Sequence, residues 1–437
     1  MGWEFILLIF VGLLILLLIL GIPVAFSFLI TNFVCLYVFA GGTQSLFSVI
    51  PSSFEMMVSI TMLAVPLFIL MGEVIFHSGV GWKVMEAMDL WIGRFPARLS
   101  LLAVGGGTLF AMLSGSSIAV VSMLGSVLVP GMRQKNYAPS MCVGPIMAGG
   151  ALALVIPPTF FGVIIATLAE VSIARLLIAL IVPGMVMSAL FVIYIIVRAL
   201  LNPGLAPPYE REKATVQAKV KSLLQIFPLA GVIFLVTGVI FFGIATPTEA
   251  AALGALGAFA LAMISGTMNL SVFRKMILQT GSLTCAVFMI IIGSTSFSQL
   301  LAYTGASKAL VSAAVDLPLH PIILIIIMQL CILLLGTFMD QFSIMMITVP
   351  VLAPMVAGMG FDLVWFCAIT LMNLCIAGNT PPFGLHLFAM KSVVPEEITM
   401  MQIIRAAIPY VLLGLIGVAI VICFPGLALW LPSLIAG

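Results

Sequence analysis

Charge is what this sequence has least of. Of its 437 residues only 7% are Asp, Glu, Lys or Arg, against 63% hydrophobic, a ratio that leaves too little polar surface for a water-soluble fold of this length. The 16 Lys and Arg lie singly or in small groups between apolar runs, which excludes a basic nucleic-acid-binding face. Histidine is rarer still, at three residues. No HExxH, no pair of intramembrane aspartates and no Asp-rich motif is present to carry enzymatic chemistry. The seven cysteines (Cys35, Cys142, Cys285, Cys331, Cys367, Cys375, Cys423) include no CxxC and sit inside apolar segments, so they read as small packing residues, not disulfides or thiolate ligands. The run from Trp3 to Leu20 has neither a basic segment before it nor a small-residue cleavage site. It reads as a retained span and not a removable signal.

What is present is hydrophobic length. Mean hydropathy is +1.36, and runs of the roughly 20 residues a helix needs to cross a bilayer fall near 3–20, 23–40, 56–76, 137–169, 173–198, 224–243, 247–266, 276–302, 362–391 and 403–431. An all-α polytopic membrane protein with ten crossings is expected. Two further apolar regions, 99–132 and 321–357, carry polar residues at their middles, "SGSS" at 114–117 and "DQFS" at 340–343. Each reads as two half-length helices meeting at a polar tip, a re-entrant hairpin. The only stretch of soluble composition is 201–222, "LNPGLAPPYEREKATVQAKVKS", near the middle of the chain.

The two sides of that linker repeat. Pro23 matches Pro247, Gly79 matches Gly305, Ser117-Ile118 matches Ser343-Ile344, Pro130 matches Pro354 and Pro157-Pro158 matches Pro381-Pro382, all at offsets of 224 or 226. The organisation expected is therefore 1–200 as one repeat, 201–222 as a cytoplasmic linker and 223–437 as a second repeat. Five crossings and one hairpin separate equivalent positions, and an odd number of crossings inverts the second copy. With the amino terminus outside, fourteen basic residues (Lys83, Arg94, Arg98, Arg133, Lys135, Arg198, Arg211, Lys213, Lys219, Lys221, Arg274, Lys275, Lys391, Arg405) fall on the inner side and only Arg175 and Lys308 on the outer. That is the orientation the positive-inside rule favours.

Two adjacent prolines remove two backbone donors and unwind about a turn of helix, so 137–169 and 362–391 are expected to break at "VIPPTF" and "NTPPFG". Backbone freed at membrane depth is tolerated only where protein or a wet cavity satisfies it. A hairpin tip beside each break would do so: Ser114, Ser116 and Ser117 near Pro157-Pro158, and Asp340 and Ser343 near Pro381-Pro382. Hydroxyl, carboxylate and carbonyl oxygens suit a hard cation such as Na⁺. Helices starting at Ile118, Thr159, Ile344 and Phe383 would aim four positive ends at one cavity and attract an anion. A cation-coupled anion site is the chemistry these features imply.

Other polar residues have plainer readings. Glu73 is expected to hold a helix end by a hydrogen bond, and Glu249, just after Pro247, to complete a helix cap. His77 and His320 should lie near the membrane surfaces. His386 is the one histidine near the cavity, either a hydrogen-bonded packing residue or a substrate contact. Asp340 is the one acid expected at full membrane depth, where unpaired charge is costly and a functional role is the default. Residues 81–100 place Val84, Met88, Trp91, Ile92 and Phe95 on one helical face and read as an amphipathic arm in the inner interface, with 307–316 its outer counterpart.

The stretches "LSGSSIAVVSMLGSVLVPGM", "ALVIPPTFFGVIIATLAEVSIARLLIALIVPG", "ATPTEAAALGAL", "GTFMDQFSIMMITVPVLAPM" and "GNTPPFGLHLFAM", in this order along essentially the whole chain, resemble the large membrane subunit of TRAP (tripartite ATP-independent periplasmic) transporters. The resemblance implies an elevator-type secondary transporter driven by a Na⁺ gradient. It implies a small four-helix membrane subunit and a periplasmic substrate-binding protein as partners, small organic anions of carboxylate or sulfonate type as substrates, and the inner membrane of a bacterium or archaeon. Carried over, the Na⁺ positions fall at Ser114, Gly115, Ser116 and Ser117 with Pro157, and at Thr337 to Asp340 with Thr380. Anion contacts are expected at Pro158, Thr159, Asn379, Thr380 and Pro382. Where the family usually has serine after the first proline pair this chain has Thr159, and Asn379 replaces a small or apolar residue. A stand-alone Na⁺/carboxylate symporter of related architecture is the alternative. It would transport without a binding protein.

Overall fold

Apolar runs punctuated by glycine and proline become helices, and in the computed structural model every regular element among the described residues is a helix. Those residues are 3–39, 42, 49–92, 95–114, 116–207, 216–316, 318–382 and 384–434. Among the described residues seven stretches are long and apolar enough to cross a membrane, and seven shorter apolar helices accompany them. Side chains such as Ile19, Ile60, Ile264 and Leu270 are more than three-quarters exposed, which an apolar solvent explains and water does not.

Proline decides how the runs are cut. Pro183 cannot donate to Ala179 four residues back, and the run expected at 173–198 is accordingly two segments, Ile173–Ala179 and Ile181–Leu201, joined at Leu180. Pro66 likewise leaves Met62 without its helical donor, and the third run is interrupted after the helix Val49–Val58 by a 3₁₀ turn, Ile60–Leu63, before Ala64–His77. Single prolines are otherwise absorbed: Pro130, Pro145, Pro228, Pro350, Pro354 and Pro409 all lie inside helices. The adjacent pairs are not. One helix covers Pro139–Ala151 and resumes at Phe160–Leu168, and another covers Leu363–Ala377 and resumes at Leu385–Lys391. Two consecutive missing donors and two ring clashes fall on one turn, which is more than a helix can bridge.

Some boundaries depart from expectation. The helix expected at 276–302 runs Leu270–Tyr303, about 51 Å at ~1.5 Å per residue and well beyond one bilayer thickness. The last run stops at Cys423, and a separate helix, Gly426–Ser433, follows Pro425. Helix Val216–Phe241 begins inside the segment read as linker. The hairpin arms Arg98–Ser114, Ser117–Gln134, Pro321–Leu335 and Gln341–Gly358 are 15 to 18 residues long, about 22–27 Å. They exceed the half-thickness expected of re-entrant arms. Helices begin at Ser117, Phe160, Gln341 and Leu385 instead of Ile118, Thr159, Ile344 and Phe383, the last of which lies outside the described residues.

Packing sorts the helices into two groups. Ala64–His77 lies against Pro247–Ile264 and Leu270–Tyr303, Val24–Phe39 against Leu270–Tyr303, and Val216–Phe241 against Pro247–Ile264. Asn32 Nδ2 donates to the Gly293 carbonyl at 2.7 Å within this group. The hairpin arms pack instead on the broken helices, and both broken helices pack on Met400–Cys423. Backbones approach closely there: a Cβ on Gly149 would lie 2.8 Å from the Ala103 and Val104 carbonyls, so only glycine fits. Between the groups, Ser294 Oγ donates to the Met346 carbonyl at 2.7 Å.

The amphipathic arm, Val80–Ile92, is seated partly in protein. Val84, Met85 and Ala87 are buried while Trp91 and Phe95 stay about half exposed, at 47% and 60%. Trp91 Nε1 donates to Ser222 Oγ at 3.1 Å, and Arg98 holds the Asp89 carboxylate at 2.6–2.7 Å. The expected face of Val84, Met88, Trp91, Ile92 and Phe95 is thus divided between core and surface. The segment expected as its outer counterpart, 307–316, lies in the helix Ala306–Asp316. Four cysteines are buried as packing residues, while Cys285, Cys331 and Cys423 face outward. Thr246 and Glu249 form the expected capping box. Glu73 meets His77 Nε2 one turn on at 3.1 Å, and His77 also reaches Gln279 on the neighbouring helix.

Candidate functional site

The two hairpin tips and the two proline breaks come together, with contacts that cross between the halves. At the first tip, Ser116 ends the turn with its Oγ accepting from Ala119 N at 3.3 Å, and Ser117 opens the next helix almost fully buried. The Ser117 hydroxyl lies 2.8 Å from His386 Nε2, and His386 Nδ1 lies 3.0 Å from Asn379 Oδ1. His386 therefore joins the first tip to the second break. At the second tip, Phe342 stacks on Phe160 and Phe161 just after the first break, with ring centroids 5.4 and 4.4 Å apart. The expectation that each tip serves the break of its own half is incomplete.

Gly378 is where these pairs meet. A Cβ there would lie 2.6 Å from Gln341 Nε2 and 2.7 Å from His386 Cε1, so the absence of a side chain lets the second tip, the second break and His386 share one volume. Gly336, in the second tip, likewise abuts Ala377, a Cβ there falling 2.1 Å from the Ala377 Cβ. The helices starting at Ser117 and Leu385 are thus tied by one hydrogen bond, those starting at Gln341 and Phe160 by one aromatic stack. All four amino-terminal ends converge. Both Pro157-Pro158 and Pro381-Pro382 peptide bonds are cis.

The freed backbone is only partly free. Around the second break, His386 N donates to the Gly378 carbonyl at 3.0 Å, Gly384 N to the Thr380 carbonyl at 3.1 Å and Thr380 N to the Ala377 carbonyl at 3.0 Å. The loop thereby consumes several carbonyls expected to face the cavity. Among the described residues, the carbonyls of Asn379, Pro381 and Pro382, and of Gly336, Thr337 and Met339 at the tip, accept no such bond.

Hydroxyl protons are spent inside the protein. Thr337 Oγ1 donates to the Leu334 carbonyl at 2.7 Å and Thr380 Oγ1 to the Ile376 carbonyl at 3.0 Å. Their remaining lone pairs are the groups a hard cation takes. The carboxylate is the exception: Asp340 caps the helix Gln341–Gly358, with Oδ1 accepting from Phe342 N at 3.0 Å and Ser343 N at 3.1 Å, and Oδ2 bonded to the Ser343 hydroxyl. Asp340 is therefore a helix cap before it is anything else, a role the sequence reading did not assign. Ser114 closes the first arm, but its side chain and the whole of Gly115 lie outside the described set.

For an anion the arrangement holds unmet donors. Thr159 Oγ1 and Gln341 Nε2 are buried with no partner among the described residues, and Thr159 is 3% and Gln341 4% exposed. A buried donor without a partner costs about 1–3 kcal/mol, which a bound acceptor would recover. Pro157 and Pro158 are buried, whereas Pro382 is exposed and Thr380 half-buried. Gln341 and the Phe160, Phe161, Phe342 cluster were not anticipated. Glutamine following the cap of a tip helix was the available signal. Among the described residues no group of three His, Cys, Asp or Glu gathers as a multidentate metal site. A cavity of about 500 Å³ elsewhere, lined by Arg175, Thr246, Pro247, Glu249 and Pro432 among others, is separate from this convergence.

Comparison with known proteins gives one family. The profile described as "Tripartite ATP-independent periplasmic transporter, DctM component" matches residues 11–427. The C4-dicarboxylate TRAP transporter large permease protein DctM of Pseudomonas aeruginosa is 31% identical over 384 residues, covering 87% of this chain and 88% of that protein. The sialic acid TRAP transporter large permease protein SiaM of Vibrio cholerae is 28% identical, covering 86% and 87%. Among solved structures, the YdaH transporter of Alcanivorax borkumensis matches with a TM-score of 0.64 at 15% identity, over 91% of this chain and 90% of that one, a likeness of fold.

Proposed function

Because the chain belongs to the DctM-component family of the tripartite ATP-independent periplasmic transporters, we propose that it is the large permease subunit that carries a small organic anion inward on a Na⁺ gradient. The observation behind this reading is the convergence of four helix starts, the orphaned donors Thr159 and Gln341, and the Thr337 and Thr380 hydroxyls, whose protons point away into backbone acceptors. Donors and positive helix ends favour a carboxylate or sulfonate. Oxygen lone pairs with no competing proton favour Na⁺. Ser117 with the first tip, and Thr337, Thr380 and tip carbonyls at the second, are the ligands proposed. Asp340 adds charge near the second set while remaining a cap. The relatives' names give different substrates, C4-dicarboxylate, sialic acid, ectoine and isethionate among them, so the substrate is proposed by class only.

Transport requires the site to face each side in turn. The two packing groups suggest how: the helices around Ala64–His77 and Leu270–Tyr303 stay, while hairpins and broken helices move as a unit past the Ser294–Met346 contact. A small membrane subunit and a periplasmic binding protein complete the system, in the inner membrane. The test is uptake of radiolabelled carboxylates and sulfonates into proteoliposomes holding this chain and its small subunit. Uptake is expected only with binding protein and an inward Na⁺ gradient. Equal rates with choline replacing Na⁺ would overturn the coupling, and full rates without binding protein would favour the stand-alone symporter.

A further inference from the structure

We propose that His386 is a positioning residue that turns the Ser117 hydroxyl into an oxygen with both lone pairs free for Na⁺, and that Asn379 sets it in that state. The inference rests on the Na⁺-coupled reading above and adds to it a physical link between the cation tip of one half and the break of the other.

The argument is one of donors and acceptors. With the Asn379 amide oriented so that Oδ1 faces Nδ1 at 3.0 Å, the oxygen can only accept and Nδ1 carries the proton. The ring is wholly buried, and no carboxylate meets it among the described residues, so a second proton would place an unpaired charge in the interior. Nε2 is then bare. Its partner at 2.8 Å, the Ser117 hydroxyl, must give its own proton to it. A serine oxygen has one proton and two lone pairs. With its proton directed at Nε2, the serine oxygen keeps both lone pairs for a cation at the tip. In the opposite tautomer Nε2–H would donate to Ser117 and take one of those lone pairs, while Nδ1 and Asn379 Oδ1 would face each other as two acceptors.

The same geometry assigns Asn379 a double part. Its oxygen is committed to His386, and its Nδ2 donates to no protein group among the described residues, which leaves the amide hydrogens for an anion. Loss of Asn379 removes the acceptor that holds the proton on Nδ1. The ring is then free to adopt the other tautomer, and the cation site is weakened from a residue that never touches the cation.

Na⁺ alone is the probe. Thermal unfolding of the purified, full-length protein is followed against Na⁺ concentration at constant ionic strength in choline chloride, giving a Na⁺ midpoint independent of transport. Ser117→Ala and His386→Asn are each expected to raise that midpoint about tenfold, the double variant no further than Ser117→Ala alone, and Asn379→Ala severalfold. A merely structural His386 would lower the melting temperature in choline and leave the midpoint within twofold of the parent. That result overturns the inference while Na⁺ coupling stands. Absence of any Na⁺ response in the parent overturns the coupling reading and this inference with it. Should His386→Asn fail to fold, Asn379→Ala decides: an unchanged midpoint there removes the link.

Discussion

Asp340 separates a structural from a functional carboxylate, and two substitutions tell them apart. Its Oδ1 accepts from two backbone amides at 3.0 and 3.1 Å and its Oδ2 holds the Ser343 hydroxyl, so Asp340→Ala removes a helix cap, at about 1 kcal/mol. Asparagine caps as well as aspartate, so Asp340→Asn should leave stability nearly unchanged while deleting the charge. If Na⁺ binds roughly 5 Å away at an effective dielectric of about 20, the lost attraction is on the order of 3 kcal/mol. Allowing for the two amides and the hydroxyl that already share this charge, a 10- to 100-fold rise in the Na⁺ concentration for half-maximal uptake is expected. The assay pairs Na⁺-dependent uptake in proteoliposomes with thermal unfolding of the same preparations. A Na⁺ requirement within twofold of the parent in Asp340→Asn, alongside a destabilised Asp340→Ala, would make Asp340 a cap only.

Four further outcomes are expected. In a background without native cysteines, Asn202→Cys should react with an impermeant thiol reagent only from the cytoplasmic side and Ser433→Cys only from outside; both reacting from one face would remove the inverted topology. Gly384→Ala should abolish uptake, since its Cβ would meet the Gly378 and Thr380 carbonyls at 2.7 and 2.8 Å, a clash with backbone that costs about 1–3 kcal/mol. Replacing Pro381 and Pro382 together by alanine should also abolish it while protein level survives, because two prolines in a helix cost about 3 kcal/mol each relative to alanine; normal rates in either variant would reduce the break to a kink. A thiol-specific cross-link between Ser294→Cys and Met346→Cys should stop uptake until it is reversed, and undiminished uptake when fully linked would mean that the two helix groups do not slide.

Composition and local rules made the membrane class, the helices and the two breaks legible in the sequence, because each depends on residues adjacent in the chain. A lack of charge forces burial in lipid, and a proline pair withholds two donors whatever surrounds it. The Thr246–Glu249 cap was readable for the same reason. The arm lengths, and the cuts imposed by Pro66 and Pro183, were misjudged where hydrophobicity alone was followed, since an apolar run does not announce where its hydrogen bonds fail. What only the tertiary structure decided is which tip meets which break. Ser117 and His386 are 269 residues apart, and nothing in either local sequence specifies the other. Thr159 and Gln341 are ordinary residues in sequence and become orphaned donors only when packing removes water from around them. Asp340 could be read as a buried charge from hydropathy, but its three short-range bonds depend on where the helix begins, a start that lies beside Ala377 and Gly378 from the second break.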